Sequence, residues 1–376
     1  MKNIATLAVI FGVLMSGTAL AANYAYVLKF STNEADQVVR FNADTDEIVN
    51  KIDAPDDSGW NNFIVDERGG CFIASYRKSF LYGRDIFYYD PETKRVEHFA
   101  GLGEIFGPQH MALTRNELIV SVGGYSGVKP NRGGVVFINR NTGKINGEIM
   151  MLKDDKDLAQ ADVNYLYYDG GKYLILAMFY MPGIMADMDE WRQMEYTGDL
   201  FLIDIMEKKI AKIINVPREY KGINRLCRVG DKIYVSAYDR GQRDQFGSCP
   251  INNELLVFSL ESGKLIKTIR IDGFPFDVVH DKSVNKIYIC HRNERVRHDY
   301  IEVIDPSSDR VIKRITIPNQ LMASIVAPHK MYVTSGNSQF EHRSIPSKLS
   351  VVDTGTDKVI KEFEGVYTGI SINPEY

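Results

Sequence analysis

The sequence predicts an all-β fold, a seven-bladed β-propeller with four antiparallel strands per blade. Three observations predict it. A strand–turn–strand hairpin recurs seven times along the chain, a second strand pair precedes each of the last six hairpins, and each end of the chain supplies one leftover strand.

The hairpin is clearest at Ile301–Ile315, where Asp305-Pro306-Ser307-Ser308-Asp309 separates two runs carrying the β-branched Val303, Val311 and Ile315. Its relatives are Gln37–Ile52, Asp85–Phe99, Gly134–Ile149, Asp199–Ile214, Glu254–Ile269 and Lys348–Phe363. The first turn residues are Asn42, Asp90, Asn139, Asp204, Ser259, Asp305 and Asp353, at spacings of 48, 49, 65, 55, 46 and 48 residues. A period of this size marks a repeat architecture.

The preceding strand pairs are Phe63–Ser75, Met111–Val122, Tyr165–Met178, Arg225–Ala237, Asp277–Cys290 and Ile325–Thr334, each split by a tight polar turn. With strands A and B here and C and D in the hairpin, each repeat has the four strands of a propeller blade. The first hairpin is preceded only by Tyr24–Phe30, and Thr368–Asn373 is left over at the other end. Pairing these two completes the first blade and closes the ring, which removes the open edges of a linear array.

The chain of 376 residues is 44% hydrophobic and 25% charged, with a formal net charge of −4. This is a globular balance without the basic face of a nucleic-acid binder, so no nucleic-acid partner is expected. Lys2, the apolar run Ile4–Leu14 and Ala19-Leu20-Ala21 read as a secretory signal peptide over residues 1–21, leaving the propeller on 22–376. No later apolar stretch approaches ~20 residues, so no membrane span is expected and the mature protein is placed in the periplasm or outside the cell.

Of the four cysteines, Cys249 in a long loop and Cys290 near a strand end are the candidate disulfide; the alternative is that Cys71, Cys227 and Cys290 are all small buried hydrophobes. No CxxCH haem-attachment motif and no CxxC pair occurs, so no covalent haem or thioredoxin-type centre is predicted.

The segments Lys330-Met331-Tyr332-Val333-Thr334-Ser335-Gly336-Asn337, Lys286-Ile287-Tyr288-Ile289-Cys290 and Lys232-Ile233-Tyr234-Val235-Ser236 resemble the strand-B signature of the YVTN-repeat (YncE-like) propellers. Leu349–Ile360 resembles the strand C–D hairpin of the same family. The resemblance implies the propeller fold and a binding platform; it implies no particular chemistry.

In such a ring the A–B and C–D turns share one face, and here they are all short. The B–C connections Gly123–Gly133, Phe179–Gly198, Arg240–Asn253 and Ser335–Ser347, with the D–A connections Ala54–Asn61 and Gly101–Gln109, are long and gather on the other face. Loops of this length in a compact domain are commonly functional, so this face is the candidate site. The loop holding Phe179, Tyr180, Met181, Met185, Met188, Trp191 and Tyr196 is expected to contact a partner, because flexible Met and amphipathic aromatics make adaptable surfaces. Packing over the propeller and a methionine thioether ligand to copper or haem are the alternatives for it, and Asp187–Met194 reads as a short helix.

Strand A is innermost, so its first residues face the mouth of the channel. Aligning the strand pairs brings Asn62, His110, Asn164 and Asn224 to one level, with Asp277 and Ser324 close by. This ring suits a polar ligand, ordered water or a divalent cation; gluconolactonase-type propellers build a divalent-metal site here from carboxylates and amides. The alternative is that the amides satisfy loop backbone groups. His291, His298, His342, Arg292, Arg295, Arg297 and Arg343 form a locally basic sector.

No nucleophile elbow, HExxH, Walker loop or dinucleotide fingerprint occurs. The expected function is an exported, non-catalytic propeller that binds a ligand or protein partner, one version being a structural subunit of a periplasmic redox complex. The alternative is a metal-dependent, lactonase-like hydrolase.

Overall fold

The computed structural model describes residues 24–29, 37–54, 58–77, 82–103, 107–123, 131–150, 160–181, 197–217, 219–220, 223–237, 254–273, 275–291, 299–318, 320–335, 348–365 and 367–372. Those residues form seven antiparallel blades of four strands, as the repeat predicts.

Blade 1 holds β1 (Tyr24–Lys29), β2 (Gln37–Asn42) and β3 (Glu47–Asp53). Blade 2 holds β4 (Ser58–Val65), β5 (Cys71–Arg77), β6 (Tyr82–Asp90) and β7 (Arg95–Gly101). Blade 3 holds β8 (Pro108–Leu113), β9 (Glu117–Val122), β11 (Gly134–Asn139) and β12 (Ile145–Met150); the short β10 (Asn131–Arg132) lies in its B–C connection. Blade 4 holds β13 (Gln160–Tyr167), β14 (Tyr173–Met181), β15 (Thr197–Asp204) and β16 (Lys209–Asn215). Blade 5 holds β17 (Ile223–Val229), β18 (Lys232–Ala237), β19 (Glu254–Ser259) and β20 (Leu265–Arg270). Blade 6 holds β21 (Pro275–Asp281), β22 (Lys286–His291), β23 (Tyr300–Asp305) and β24 (Arg310–Thr316). Blade 7 holds β25 (Gln320–Ala327), β26 (Lys330–Ser335), β27 (Lys348–Asp353) and β28 (Lys358–Glu364).

The last strand, β29 (Tyr367–Ile372), pairs antiparallel with β1 and becomes the inner strand of blade 1, in the order β29-β1-β2-β3. The ring is therefore closed by the two ends of the chain. Among the described residues one departure from four strands occurs: β10 adds to the inner side of blade 4, pairing in parallel with β13 through Asn131↔Gln160 and Arg132↔Ala161. The sequence gives no sign of it, because a two-residue strand has no periodicity to read.

The recurring turn has a clear local cause. In all seven hairpins the fifth turn residue has positive φ: Asp46, Lys94, Gly143, Lys208, Gly263, Asp309 and Asp357. In five of them, those of Asp46, Lys94, Gly143, Gly263 and Asp309, its N–H donates to the carbonyl of the first turn residue, at 2.8 Å for Asp46–Asn42 and 2.8 Å for Asp309–Asp305. The first residue is Asn or Asp in six of the seven because its side chain caps the turn. Asn42 Oδ1 accepts from Asp44 and Thr45 N–H, and Asp353 Oδ1 from Gly355 and Thr356 N–H.

Burial follows position in the ring. The middle strands β18, β22 and β26 are buried along nearly their whole length, whereas the outer β24 and β28 are mostly exposed. A strand covered on both faces by neighbouring blades reads as a continuous apolar run. The seam between blades 6 and 7, for instance, packs Tyr288, Cys290, Ile301 and Val303 against Ala323, Met331 and Val333.

The Lys-x-Tyr start of the YVTN-like segments is a latch between blades. Lys232 Nζ and the Tyr234 hydroxyl both reach Asp309 in the next blade's turn, at 2.8 and 2.6 Å. Lys286 and Tyr288 reach Asp357 at 2.8 and 3.0 Å. Lys330 and Tyr332 reach Asp46 at 3.1 and 2.7 Å, across the point where the ring closes. Burial, with the hydrogen-bonded carboxylate, pushes all three phenols well above their ordinary range. They serve as neutral donors.

Cys71, Cys227 and Cys290 are buried free thiols. Cys249 lies outside the described residues, so the Cys249–Cys290 bridge finds no support among them. Among the described residues, no helix is long and apolar enough to cross a membrane.

Candidate functional site

The seven inner strands neighbour one another in the order β29, β4, β8, β13, β17, β21, β25 and back to β29. Every one of them has a bulge near the end where the sequence places the channel mouth. The register slips at Trp60/Asn62, Pro108/Met111, Val163/Tyr165, Ile223/Arg225, Pro275/Asp277 and Gln320/Met322, and between β1 and β29 at Leu28/Lys29. A bulge re-aims side chains without ending the strand, and such irregularities recur beside binding sites.

The bulges also redraw the ring that the sequence alignment anticipates. Asn164 and Asn224 fall on the unpaired bulge position, while Tyr165, Arg225 and Asp277 pair with Ala177, Ser236 and Cys290 on the following rung. His110 matches that rung: its N–H donates to Ser121 Oγ at 2.9 Å, as Arg225 N–H does to Ser236 Oγ at 3.0 Å. Asn62 pairs with Ala74 and Ser324 with Tyr332. Of the four residues anticipated on one level, Asn164 and Asn224 thus sit on the bulge, one residue before the rung that His110 shares with Tyr165, Arg225 and Asp277.

What the structure assembles instead is a chain of contacts running from blade 2 to blade 7. Asn62 Nδ2 donates to the Gln109 carbonyl at 2.7 Å and lies 3.2 Å from His110 Nδ1. The His110 ring meets the Tyr165 ring edge-on, with centroids 5.4 Å apart. Arg225 lies over that Tyr165 ring at 4.6 Å and over the Phe276 ring at 5.8 Å. Beyond Arg225 is Asp277, 3% exposed, whose Oδ2 accepts the Ala323 N–H of blade 7 at 2.9 Å. Asn62, His110, Tyr165 and Arg225 are half-buried, Asp277 buried.

Sequence reasoning overlooked Tyr165, Arg225 and Phe276. A lone arginine and aromatics at the first rungs of strands read as edge residues, and only the ring brings them side by side.

The electrostatics follow from burial. Burial raises the Asp277 carboxyl, with the Arg225 charge and two backbone N–H donors opposing. Burial and the Asp277 charge push the Tyr165 phenol up to about 12. Both Asp277 oxygens are engaged by backbone, Oδ1 by Val278 N–H at 3.0 Å and Oδ2 by Ala323 N–H. Asn62 Oδ1 accepts from Phe63 N–H at 2.7 Å. Asn224 is 1% exposed; its Nδ2 donates to the Pro275 carbonyl at 3.2 Å, while its buried Oδ1 has no hydrogen-bond partner. A divalent cation would need several oxygens of this set, and most already hold the backbone in place. Among the described residues no group of three His, Cys, Asp or Glu is arranged to hold a metal ion.

The side chains of Asn164, Phe179, Tyr180 and Met181 lie outside the described set, as do Met185, Met188, Trp191 and Tyr196 entirely. Of the basic sector, only His291 is described. It is fully buried, 3.5 Å from the equally buried Glu302, which Arg314 holds on its other side at 3.1 Å. Burial raises the Glu302 carboxyl, against the Asp272 N–H and Arg314 contacts.

No protein-family model matches the chain, and no curated protein sequence matches it. Solved structures do. The chain is similar to the dihydro-heme d1 dehydrogenase NirN, solved in complex with DHE, with TM-score 0.57 and 12% identity over 93% of this chain and 75% of that one. A functionally unknown protein from Desulfotomaculum acetoxidans gives TM-score 0.59 and 12% identity over 93% and 99% of the two chains. Hydrazine synthase of Kuenenia stuttgartiensis gives TM-score 0.55 and 12% identity over 85% and 90%. At this identity the likeness establishes the fold alone.

Proposed function

We propose that this protein is an exported, non-catalytic propeller that binds a small ligand or a protein partner at the long-loop end of its channel. The observation that carries the reading is the half-buried run Asn62–His110–Tyr165–Arg225, in which an amide, an imidazole, a phenol ring and a guanidinium stand side by side where the inner strands bulge. The carboxylate beside it among the described residues, Asp277, is tied to backbone on both oxygens and so serves as a brace between blades. That arrangement supports binding over the lactonase-like reading, which needs carboxylate and amide oxygens turned to a cation.

Export rests on the N-terminal pattern of Lys2, Ile4–Leu14 and Ala19–Ala21. Membership of a redox complex draws support from the names of two fold relatives, a heme d1 dehydrogenase and hydrazine synthase. A protein partner would meet the loop from Phe179 to Tyr196, rich in Met and aromatics.

The deciding experiment is to purify the protein from its native source, release its contents by denaturation, and analyse metals and small molecules together. The expected result is an organic ligand or a co-purifying protein. A stoichiometric divalent ion, with lactone hydrolysis lost on Asp277→Asn, would overturn the binding reading. Deleting residues 183–195 is expected to keep the fold and weaken capture of the protein partner. Unchanged capture would move the contact elsewhere.

A further inference from the structure

We infer that the outer rim of blades 5, 6 and 7 rests on an anionic lipid surface, with Ile266, Ile312 and Ile360 entering it and neighbouring lysines and arginines at its headgroups. This surface lies on the outside of the ring and is independent of the ligand reading at the channel mouth.

The argument begins with a bulge that recurs on the outer strands. In β20 the register passes from Leu265 to Lys267, in β24 from Val311 to Lys313 and in β28 from Val359 to Lys361. The skipped residues are Ile266, Ile312 and Ile360, which are 51, 52 and 55% exposed. Blades 3 and 4 carry Asn146 and Ala211 at this step. Single exposed aliphatics are ordinary on a protein surface, but here one tip recurs on three successive blades, each followed by a lysine. A bulge and a lysine suffice to keep an edge strand from pairing with another chain, so that role leaves the isoleucines unexplained.

Charge names the partner. Strands β20, β24 and β28 carry seven cations and two carboxylates. The corresponding strands of blades 1 to 3, β3, β7 and β12, carry two cations and four carboxylates, and the whole chain has a formal net charge of −4. Positive charge is thus concentrated on one arc of the rim, where it attracts an anionic surface. Arg270, Arg310 and Lys358 are exposed, and their side chains have no hydrogen bond or ion pair among the described residues. Lys361 Nζ donates to the Asp46 carbonyl at 3.0 Å, a neutral acceptor that leaves its charge in place. Lys267 and Lys313 face Asp309 and Asp357 at 3.5 and 3.3 Å, carboxylates they share with Lys232 and Lys286. Arg314 is matched by Asp272 and Glu302.

The mixing of charge with apolar tips favours lipid over protein. A protein interface gathers its apolar side chains in a core depleted of charge. On this rim the tips stand one to a blade with a lysine beside each. A lipid interface takes that arrangement, because aliphatic tips reach the acyl boundary while long cationic side chains stay among the headgroups.

Co-sedimentation with vesicles tests this, on protein purified from its native source and variants isolated in the same way, so that every arm shares one N-terminus. Vesicles of phosphatidylcholine mixed with phosphatidylglycerol are expected to bind the protein at least about tenfold more tightly than phosphatidylcholine alone. Arg270→Gln, Arg310→Gln and Lys358→Gln together are expected to weaken that binding roughly a hundredfold. Ile266→Ser, Ile312→Ser and Ile360→Ser together are expected to weaken it at least about tenfold. All six side chains are exposed, so both variants are expected to melt as the unaltered protein does. Unchanged binding in both variants would overturn the proposal. Full binding by the isoleucine variant, with polyglutamate displacing the protein from vesicles, would also overturn it and assign the rim to an acidic polypeptide. Binding to neither vesicle would overturn it while leaving the channel-mouth reading untouched.

Discussion

Asp357 and Lys94 occupy the same step of two hairpins, both in the left-handed region at φ 53° and 58°, yet they do different work. Asp357 takes the Lys286 ammonium at 2.8 Å and the Tyr288 hydroxyl at 3.0 Å from the preceding blade. Lys94, in blade 2, is exposed. Left-handed backbone costs a non-glycine residue roughly 1–2 kcal/mol. Lys94→Gly is therefore expected to raise stability by up to about 1 kcal/mol, while Asp357→Gly lowers it by about 2 kcal/mol, as a half-buried amine and a buried phenol lose their carboxylate and keep only the Thr354 carbonyl. Denaturant unfolding of both variants checks the pair, and equal signs would show that the latch contributes nothing. Asp305 gives the pH dependence. Side-chain donation from Ser307 and Ser308, with the Ser307 N–H, holds its carboxyl down at about 2. Its unfolded value is about 3.9, so its contribution is present above that pH and is lost as pH falls through the folded value. Asp90, Asp204 and Asp353 are lowered in the same direction by turn N–H groups. The melting temperature is expected to fall between about pH 4 and pH 2, and Asp305→Asn to make that fall shallower.

The hairpins were legible because their causes are local. An Asn or Asp cap (Ser259 in blade 5), a short polar turn and β-branched flanks all lie within about fifteen residues, and each blade repeats the pattern. Glycine replaces the left-handed residue in blades 3 and 5, and the two positions differ in what surrounds them. A Cβ on Gly143, at φ 67°, would collide with the Phe99 carbonyl oxygen of blade 2. At Gly263 the nearest atom would be the flexible Lys212 Cδ at 3.3 Å. Gly143→Ala is expected to cost about 2 kcal/mol or more and Gly263→Ala about 1 kcal/mol, measured by urea unfolding. Equal costs would mean that the turn conformation alone decides. The inner strands were less legible. Their bulges add one residue that no composition marks, and that residue moved Asn164 and Asn224 off the level of His110.

The ring as a whole depends on contacts between segments far apart in sequence. Strand β29 pairs with β1, and Lys330 crosses the same junction to Asp46. Removing residues 367–376 is expected to abolish cooperative unfolding and to promote association through the opened β1 edge, followed by thermal melts and size-exclusion chromatography. A truncated chain that melts as one monomeric unit would show that closure is dispensable. The sequence by itself determined the fold class, the blade count, the closing strand and the face with long loops, because turn chemistry and strand period act over neighbouring residues. Only the tertiary structure decided that the Lys-x-Tyr segments are latches on the next blade's turn. It likewise decided that Tyr165, Arg225 and Phe276 meet, and that Asp277 is engaged by backbone. These residues sit some fifty to sixty positions apart on successive inner strands, and nothing short of ring closure, with a bulge in each strand, brings their side chains together.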